Sequence, residues 1–321
     1  MPVKVFITID TEEDAWDEYA TTHNPVENIA HIPMLQDLFD RYGAVPTYLI
    51  NWPVVTNKHA NHIIRDILYK GKCEIGTHCH PWNTPPFEEN INIYNTMLSN
   101  LPYELITKKI ENLHEEIIND LKVTPVCFRA GKWAFDPKVA RSIYNLGYRI
   151  DTSVTPFVDW TKEGGVDFSK APSFAYRFDP DDVLHEKENG CLLEVPPTIG
   201  FFQKNFQRCN IIRKWILEKR LSSFHLLGIL DKLRILNFRC LSPELSSGSD
   251  MIRLSTTFIR LGYDFLNMSF HSTSLLPGKS PFVHNLKHLE KFLNTIEMFL
   301  KFAVDQGMTF LPLSKAVEVV K

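Results

Sequence analysis

The chain has 321 residues, 44% hydrophobic and 23% charged, enough for one large globular domain or two smaller ones. A net charge of −3 makes no general case for nucleic acid, and no uncharged apolar run approaches the ~18 residues of a membrane-spanning helix. Residues 1–10 run straight into an apolar segment with no small-residue cleavage site, and the six cysteines form no Cys-x-x-Cys pair, so a reduced, cytosolic protein without a signal peptide is expected.

Residues 3–10 are β-branched and apolar, as in a buried strand, and they end in acids. After a polar loop through Pro25, residues 27–42 carry Ile29, Ile32, Leu35, Leu38 and Phe39 on one helical face. Gly43 closes that helix ahead of a strand over 45–50. The order repeats. A helix marked by Ile63, Ile64, Ile67 and Leu68 ends at Gly71 before a strand over 73–80. A helix over 103–122 leads through Pro125 into a strand over 126–129, and Asp136-Pro137 opens a helix that Gly147 closes before a strand over 148–154. Residues 158–190 read as a loop rich in charge, Gly and Pro, followed by a strand over 192–195 and a turn at Pro196-Pro197. Farther on, a helix ends at Gly262 before a strand over 265–271, and a helix over 284–306 ends at Gly307 before a strand over 309–313.

Five helices therefore end in a glycine that supplies the left-handed turn, each followed within three residues by an apolar strand. Such alternation implies parallel strands, and at least seven of them predict an α/β fold, a (β/α) barrel or close variant, with 1–321 as a single domain. Active sites of such barrels sit where the strands end. Here the strand ends carry Asp10 and Glu12, His78 and His80, Arg129, Asp151, and His271. His78 and His80 stand two apart, so on a strand their imidazoles share a face and can chelate one borderline metal ion such as zinc.

Residues 204–239 depart from the pattern. Nine basic residues stand there against only Glu218 and Asp231, with Ile211, Ile212, Trp215, Ile216, Leu217 and Leu221 interleaved. Two readings apply: a helical insertion packed on the barrel with a solvated basic face, or a surface for anionic lipid or a phosphate-bearing substrate.

Five segments occur in the order of the five motifs of the polysaccharide deacetylases: Thr8-Ile9-Asp10-Thr11-Glu12, the His78/His80 segment, Phe128-Arg129-Ala130-Gly131, Asp151-Thr152-Ser153 with Trp160, and Ser269-Phe270-His271. Over residues 3 to about 271 the chain resembles that family, also described as NodB-homology proteins or carbohydrate esterase family 4. The resemblance implies a distorted (β/α)7-type barrel carrying the basic helical insertion, and one divalent metal ion, usually zinc. By that resemblance Asp10 matches the general base and Arg129 the arginine that holds it. His271 matches the catalytic acid, and Asp151 and Trp160 match groups that support that histidine and shape an apolar pocket. His78 matches the first histidine of the family's His-x-x-x-His pattern, but the second falls on Trp82, so His80 is expected to take its place. Where the family commonly has a metal-binding aspartate next to the base the chain has Thr11, so Glu12 is expected as the acidic ligand. Glu13 and Asp14 are expected to be solvated loop acids. The stiff loop from Pro81 to Phe87, with Trp82, suits a wall against a sugar.

The function these residues imply is metal-dependent removal of an N-acetyl or N-formyl group from an amino sugar or sugar precursor in cell-surface polysaccharide biosynthesis. The substrate would be nucleotide- or lipid-linked, and the enzyme would lie in the cytoplasm at the inner face of the membrane, with peripheral contact to anionic lipid. Two alternatives remain open: an amidohydrolase acting on a non-sugar amide, and a non-catalytic carbohydrate-binding or assembly protein on the same barrel.

Overall fold

The computed structural model describes residues 2–14, 16–219 and 226–319. Seven strands form a continuous parallel sheet. In spatial order they are Phe265–His271 (β10), Lys4–Thr11 (β1), Thr47–Ile50 (β2), Glu74–Cys79 (β3), Cys127–Ala130 (β4), Ile150–Asp151 (β5) and Leu192–Glu194 (β7). Tyr176–Phe178 (β6) adds an antiparallel edge on β7, and Thr309–Phe310 (β11) pairs with the start of β1. The sheet curls until its two ends meet. Between β7 and β10 the ladder is replaced by single bonds: Thr198 N donates to the Asn267 carbonyl at 3.0 Å, and Asn267 N to Thr198 Oγ1 at 2.8 Å. This is a distorted (β/α)7-type barrel: the alternation of elements predicts a (β/α) barrel, and the family resemblance its distorted seven-stranded form.

Helices Ile32–Tyr42 (α1), Trp52–Thr56 (α2), Lys58–Tyr69 (α3), Tyr103–Leu121 (α4), Pro137–Asn145 (α5), Gly248–Arg260 (α8) and Leu286–Asp305 (α9) carry the residues that connect the strands. Their starts follow from local chemistry. Asp136 accepts from Lys138 N and Val139 N at 3.1 and 3.0 Å ahead of α5, and Asn57 does the same for α3. The five closing glycines, Gly43, Gly71, Gly147, Gly262 and Gly307, all have positive φ, between 65° and 89°.

The barrel interior has two layers. Phe6, Leu49, Cys127, Ile150, Leu193 and Phe265 form an apolar floor, closed from below by Leu313 and Ala316. A side chain at Gly76 would meet Leu49 Cδ2 at 2.5 Å, so this floor admits none there. Above it the inward positions turn polar, with Thr8, Asp10, Arg129, Thr152 and Asn267 all buried.

Several expectations shift in detail. The strand foreseen over 148–154 stops at Asp151, because the next amides are taken by carboxylates: Ser153 N by Asp151 at 2.8 Å and Val154 N by Glu194 at 3.2 Å. The strand foreseen over 309–313 is β11 alone, after which the chain turns under the barrel to supply Leu313. Residues 158–190 are not all loop, since they contain β6. The insertion over 204–239 does supply two helices, Phe206–Glu218 (α6) and Leu226–Lys232 (α7). Its last two residues belong to a strand, Phe238–Cys240 (β9), antiparallel to Ile199–Phe201 (β8). Three-residue strands are too short to show a period in the sequence. Arg220 and Leu221 of the insertion lie outside the described residues.

The fully buried Lys109 of α4 secures the segment that follows β3. Its ammonium donates to the carbonyls of Pro81, Thr84 and Pro86 at 2.9, 2.8 and 2.6 Å and meets Glu89 at 2.9 Å. All three of its donors are satisfied, which is what allows a lysine to sit there.

Candidate active site

The strand register juxtaposes the chemically competent residues. Asp10 on β1 stands beside His271 on β10, and His78 on β3 beside Arg129 on β4. Three buried groups converge above them: His78 Nε2 lies 3.3 Å and His80 Nε2 3.4 Å from the same oxygen, Glu12 Oε2. His80 lies one residue beyond β3, yet its ring still turns to the cluster. Two contacts hold it there. Trp82 stacks on it at 4.1 Å, and on the other side Gly131 has no side chain, for a Cβ there would lie 2.0 Å from His80 Cδ2. Trp82, at the position of the missing histidine, thus orients its replacement. Thr11 turns its hydroxyl back to the Ile9 carbonyl at 3.0 Å.

The other nitrogen of His78 is hydrogen-bonded, while that of His80 has only a carboxylate near it. His78 Nδ1 donates to the Arg129 carbonyl at 3.2 Å, and His80 Nδ1 lies 3.5 Å from Glu13 Oε1. Glu13 is buried rather than solvated: it accepts from Trp82 Nε1 at 3.1 Å and from Asn51 Nδ2. Asp14 is likewise buried, accepting from Glu27 N and Asn28 N at 2.8 and 3.0 Å. Asn28 also donates to the Glu12 carbonyl at 2.8 Å, which pins the acidic segment inward. Burial would raise the Glu13 carboxyl, but His80 and Trp82 outweigh it and hold it down at about 2. Glu12 has weaker compensation. Burial pushes it up to about 8 against the pull of His271 and His80. Burial also lowers His78, leaving a neutral imidazole. Two converging imidazoles and a carboxylate that lacks a full cationic partner fit a divalent metal ion with a position left open.

Asp10 and His271 carry opposite charges. Burial opposes ionisation of Asp10, yet Arg129 at 2.6 Å, with His78 and His271, brings its carboxyl down to about 2. Burial likewise opposes the imidazolium, but Glu244, 2.9 Å from His271 Nδ1, with Glu12 and Asp10, raises His271 to about 10. Glu244 also accepts from His271 N at 3.1 Å and from Ser274 Oγ at 2.5 Å. His271 Nε2 then faces Asp10 Oδ2 across 3.6 Å.

The support beside His271 expected of Asp151 comes from Glu244 instead. Asp151 spends its oxygens on Ser153 N and Oγ, both at 2.8 Å, and faces Glu194 across the β5–β7 register. Burial and the Asp151 charge push the Glu194 carboxyl well above the carboxylate range, and burial raises Asp151 to about 6. Glu244 lies in a short serine-rich turn with no periodicity or motif, and nothing in the sequence marks it.

The site opens into a cavity of about 360 Å³ walled by Trp16, Tyr19, Trp82, Trp133, Trp160 and Phe282. Both tryptophans expected to touch substrate therefore line it. Trp160 is fixed by its indole N–H on Thr155 Oγ1 at 2.8 Å. Lys132 and Trp133, at φ 53° and 57°, form a left-handed corner that non-glycine residues seldom adopt, and it projects both side chains into the cavity.

No family model and no curated protein matches the sequence. Solved structures do resemble it. A Mycobacterium smegmatis protein provisionally assigned as a polysaccharide deacetylase is 15% identical, with 97% of this chain and 93% of that one covered at a TM-score of 0.50. A Parabacteroides distasonis protein, provisionally a glycoside hydrolase/deacetylase, is 11% identical over 99% of this chain and 71% of its own, at a TM-score of 0.62. The 4-alpha-glucanotransferase of Thermococcus litoralis is 12% identical, with all of this chain and 41% of that one covered, at a TM-score of 0.55. At such identities the likeness is one of fold: the chain has the barrel of the polysaccharide deacetylases.

Two measurements check this geometry. Gly131→Ala should displace the His80 ring and weaken divalent-metal binding at least tenfold, read by titration calorimetry, with the circular dichroism spectrum retained; unchanged affinity would remove His80 from the cluster. The second concerns the His271–Glu244 pair. Because His271 is raised from 6.5 to about 10, its pairing stabilises the fold fully below pH 6.5 and that contribution is lost as pH rises through about 10. The urea midpoint should therefore fall more between pH 6.5 and 10 in the parent than in Glu244→Gln. Parallel curves would mean that Glu244 does not set the charge of His271.

Proposed function

We propose that the chain, acting as one catalytic unit, is a metal-dependent amidohydrolase that removes an N-acyl group, acetyl or formyl, from an amino sugar or sugar precursor used in cell-surface polysaccharide. One observation carries this reading: Asp10 and His271 face each other across 3.6 Å beside a buried Glu-His-His cluster, under a wall of aromatic rings. Aromatic faces suit the apolar faces of a pyranose ring, and both deacetylase assignments among the structural neighbours point the same way.

Glu12, His78 and His80 would hold the ion, and two imidazoles with one carboxylate favour zinc. A bound ion supplies Lewis acidity to the acyl carbonyl and to water. The remaining work falls to the chain. Arg129 occupies Asp10 Oδ1 and leaves Oδ2 turned to the cavity. Asp10 accepts a proton from the attacking water, and His271 Nε2–H donates one to the departing nitrogen. An amine leaves poorly as its anion, so a residue that remains imidazolium at neutral pH matters as much as the base. Glu244 keeps it so while orienting the ring through Nδ1. Water and amide give carboxylic acid and amine, and a proton returned from Asp10 to His271 resets the pair.

Asp10→Asn preserves the shape and an acceptor for Arg129 but removes the base. It should keep metal and fold and lose ~10²–10⁴-fold in turnover, about 3–5 kcal/mol of barrier. A panel of N-formyl and N-acetyl amino sugars read by mass spectrometry is the assay. Hydrolysis at the parental rate would rule out Asp10 as the base.

The insertion supports a location for this activity. The outward face of α6 is apolar, with Ile211 66% and Trp215 52% exposed, and beyond α7 Leu233 is 63% exposed. Arg208, Lys219, Lys232 and Arg234, all exposed, flank these residues and form no ion pair among the described residues. No described helix is long and apolar enough to cross a membrane. An apolar stripe edged by free cations fits peripheral docking on an anionic leaflet, the cytoplasmic face, where a nucleotide- or lipid-linked precursor would be met. The protein should co-sediment with phosphatidylglycerol-containing vesicles at low salt, less at high salt, and not with phosphatidylcholine alone. Binding indifferent to anionic lipid and salt would leave only a packed insertion.

A further inference from the structure

A second cavity, of about 250 Å³, opens from the first and shares with it Asp10, His271, Trp133 and Trp160. Its far wall comes from the insertion and from β8 and β9. Val158, Pro197, Ile199 and Phe238 make that wall apolar, and one cation is set into it: Arg213 of α6. The guanidinium lies 4.1 Å from the Phe238 ring and donates once, to the Phe157 carbonyl at 3.2 Å. Phe157 stands at φ +69°, a conformation costly for a bulky residue. Arg213 meets no carboxylate among the described residues. The other charges on the cavity are already matched, Asp10 by Arg129 and Glu244 by His271.

Arg213 is half-buried, and a guanidinium set on an apolar wall with most of its donors unspent is a ready binding group for an anion that enters the recess. We propose that Arg213 makes this recess an anion subsite, so that the substrate carries an acid group on the arm that enters it. The recess begins at the Asp10–His271 pair, so whatever fills it is attached close to the bond being cut. Two sources offer the same chemistry: a carboxylate at the end of the acyl chain, as in a succinyl amide, or an acid on the sugar, as in a uronic acid. Arg213 would take either through paired N–H donors. The scissile step is unchanged, with water adding across the amide to give a carboxylic acid and an amine. This inference deepens the deacylation reading and rests on it for the substrate's position; its first source replaces the acetyl or formyl group by a longer, acidic acyl chain, and its second keeps either.

The test uses reaction products, which cannot turn over. Binding of acetate, succinate, glucosamine and glucosaminuronic acid to the metal-loaded, full-length protein is measured by calorimetry. Succinate over acetate, or glucosaminuronic acid over glucosamine, should bind at least tenfold more tightly, and whichever ratio is large identifies the source of the acid. Arg213→Met should bring that ratio to about one. Arg213→Gln, which retains a donor for the Phe157 carbonyl, should do the same if the Met variant folds poorly. Ratios near one in the parent, or ratios that survive in Arg213→Gln, overturn the proposal. Because binding needs no turnover, a protein that shows the preference but hydrolyses no N-acyl amino sugar would refute the deacylation reading alone.

Discussion

A guanidinium is buried at the centre of the barrel, and the upper half of the interior is built around it. Arg129 is fully enclosed. Its Nε donates to the Thr152 carbonyl at 3.0 Å, one terminal nitrogen to Asp10 at 2.6 Å, and the other to Thr8 and Thr152 hydroxyls at 2.7 and 3.1 Å. Those acceptors lie on β1 and just beyond β5, so one side chain ties strands together across the barrel. Asn267 extends the network to β10 and to the Val195 carbonyl at 3.1 Å. Removing two ions from water costs several kcal/mol each, and their attraction recovers this only where every donor and acceptor is satisfied. The arrangement is therefore weak as a source of stability and strict as a constraint on position. It fixes which Asp10 oxygen is held and which is free.

The same field sorts the titratable groups. Asp10 stays ionised because Arg129 is near, and His271 stays cationic because Glu244 is nearer to it than any competing cation. Glu12 lies within the same few ångströms but has only imidazoles to lean on, so burial prevails and it rises to about 8. Carboxyl groups two residues apart on one chain thus differ by several pH units. On the proposed function, that contrast would separate a base from a ligand: one carboxylate is committed to a charge by the protein, and the other would be left for an incoming cation to ionise.

How much of this the sequence disclosed depends on the range of each interaction. Helices closed by glycine and strands ending in Asp, His or Arg are local patterns, and the barrel with its strand-end residues followed from them. The His78/His80 pair is visible as an i, i+2 spacing, but the turn of the His80 ring toward Glu12 depends on Gly131 and Trp82 beside it, and a contact across β3 and β4 leaves no periodic trace. Glu13 and Asp14 looked like loop acids since they follow a strand, and only the donors of Asn51, Trp82 and Asn28 draw them inside. Glu244 is the largest omission. It sits 27 residues before His271 in an irregular turn, where no spacing rule applies. Asp151 was assigned its place by analogy, and the structure gives its oxygens to Ser153 and its proton-sharing to Glu194.

The insertion joins two of these themes in one helix. Along α6, Phe206, Cys209, Arg213 and Ile216 recur at helical spacing on the inner face, while Arg208, Ile211, Ile212 and Trp215 recur on the outer one. A soluble helix normally turns its apolar stripe inward and its charges outward; here an arginine faces the core and isoleucines face water. The two exceptions, a cation on an otherwise apolar inner face and isoleucines on the outer one, are consistent if each face meets a partner, an anion within and a lipid surface without. Seating the outer face on a membrane would hold the inner face, and Arg213 with it, at a fixed height above the leaflet. An anionic precursor anchored in that leaflet would then approach the recess along the same helix that binds the surface, and docking and substrate selection would depend on one element of 13 residues.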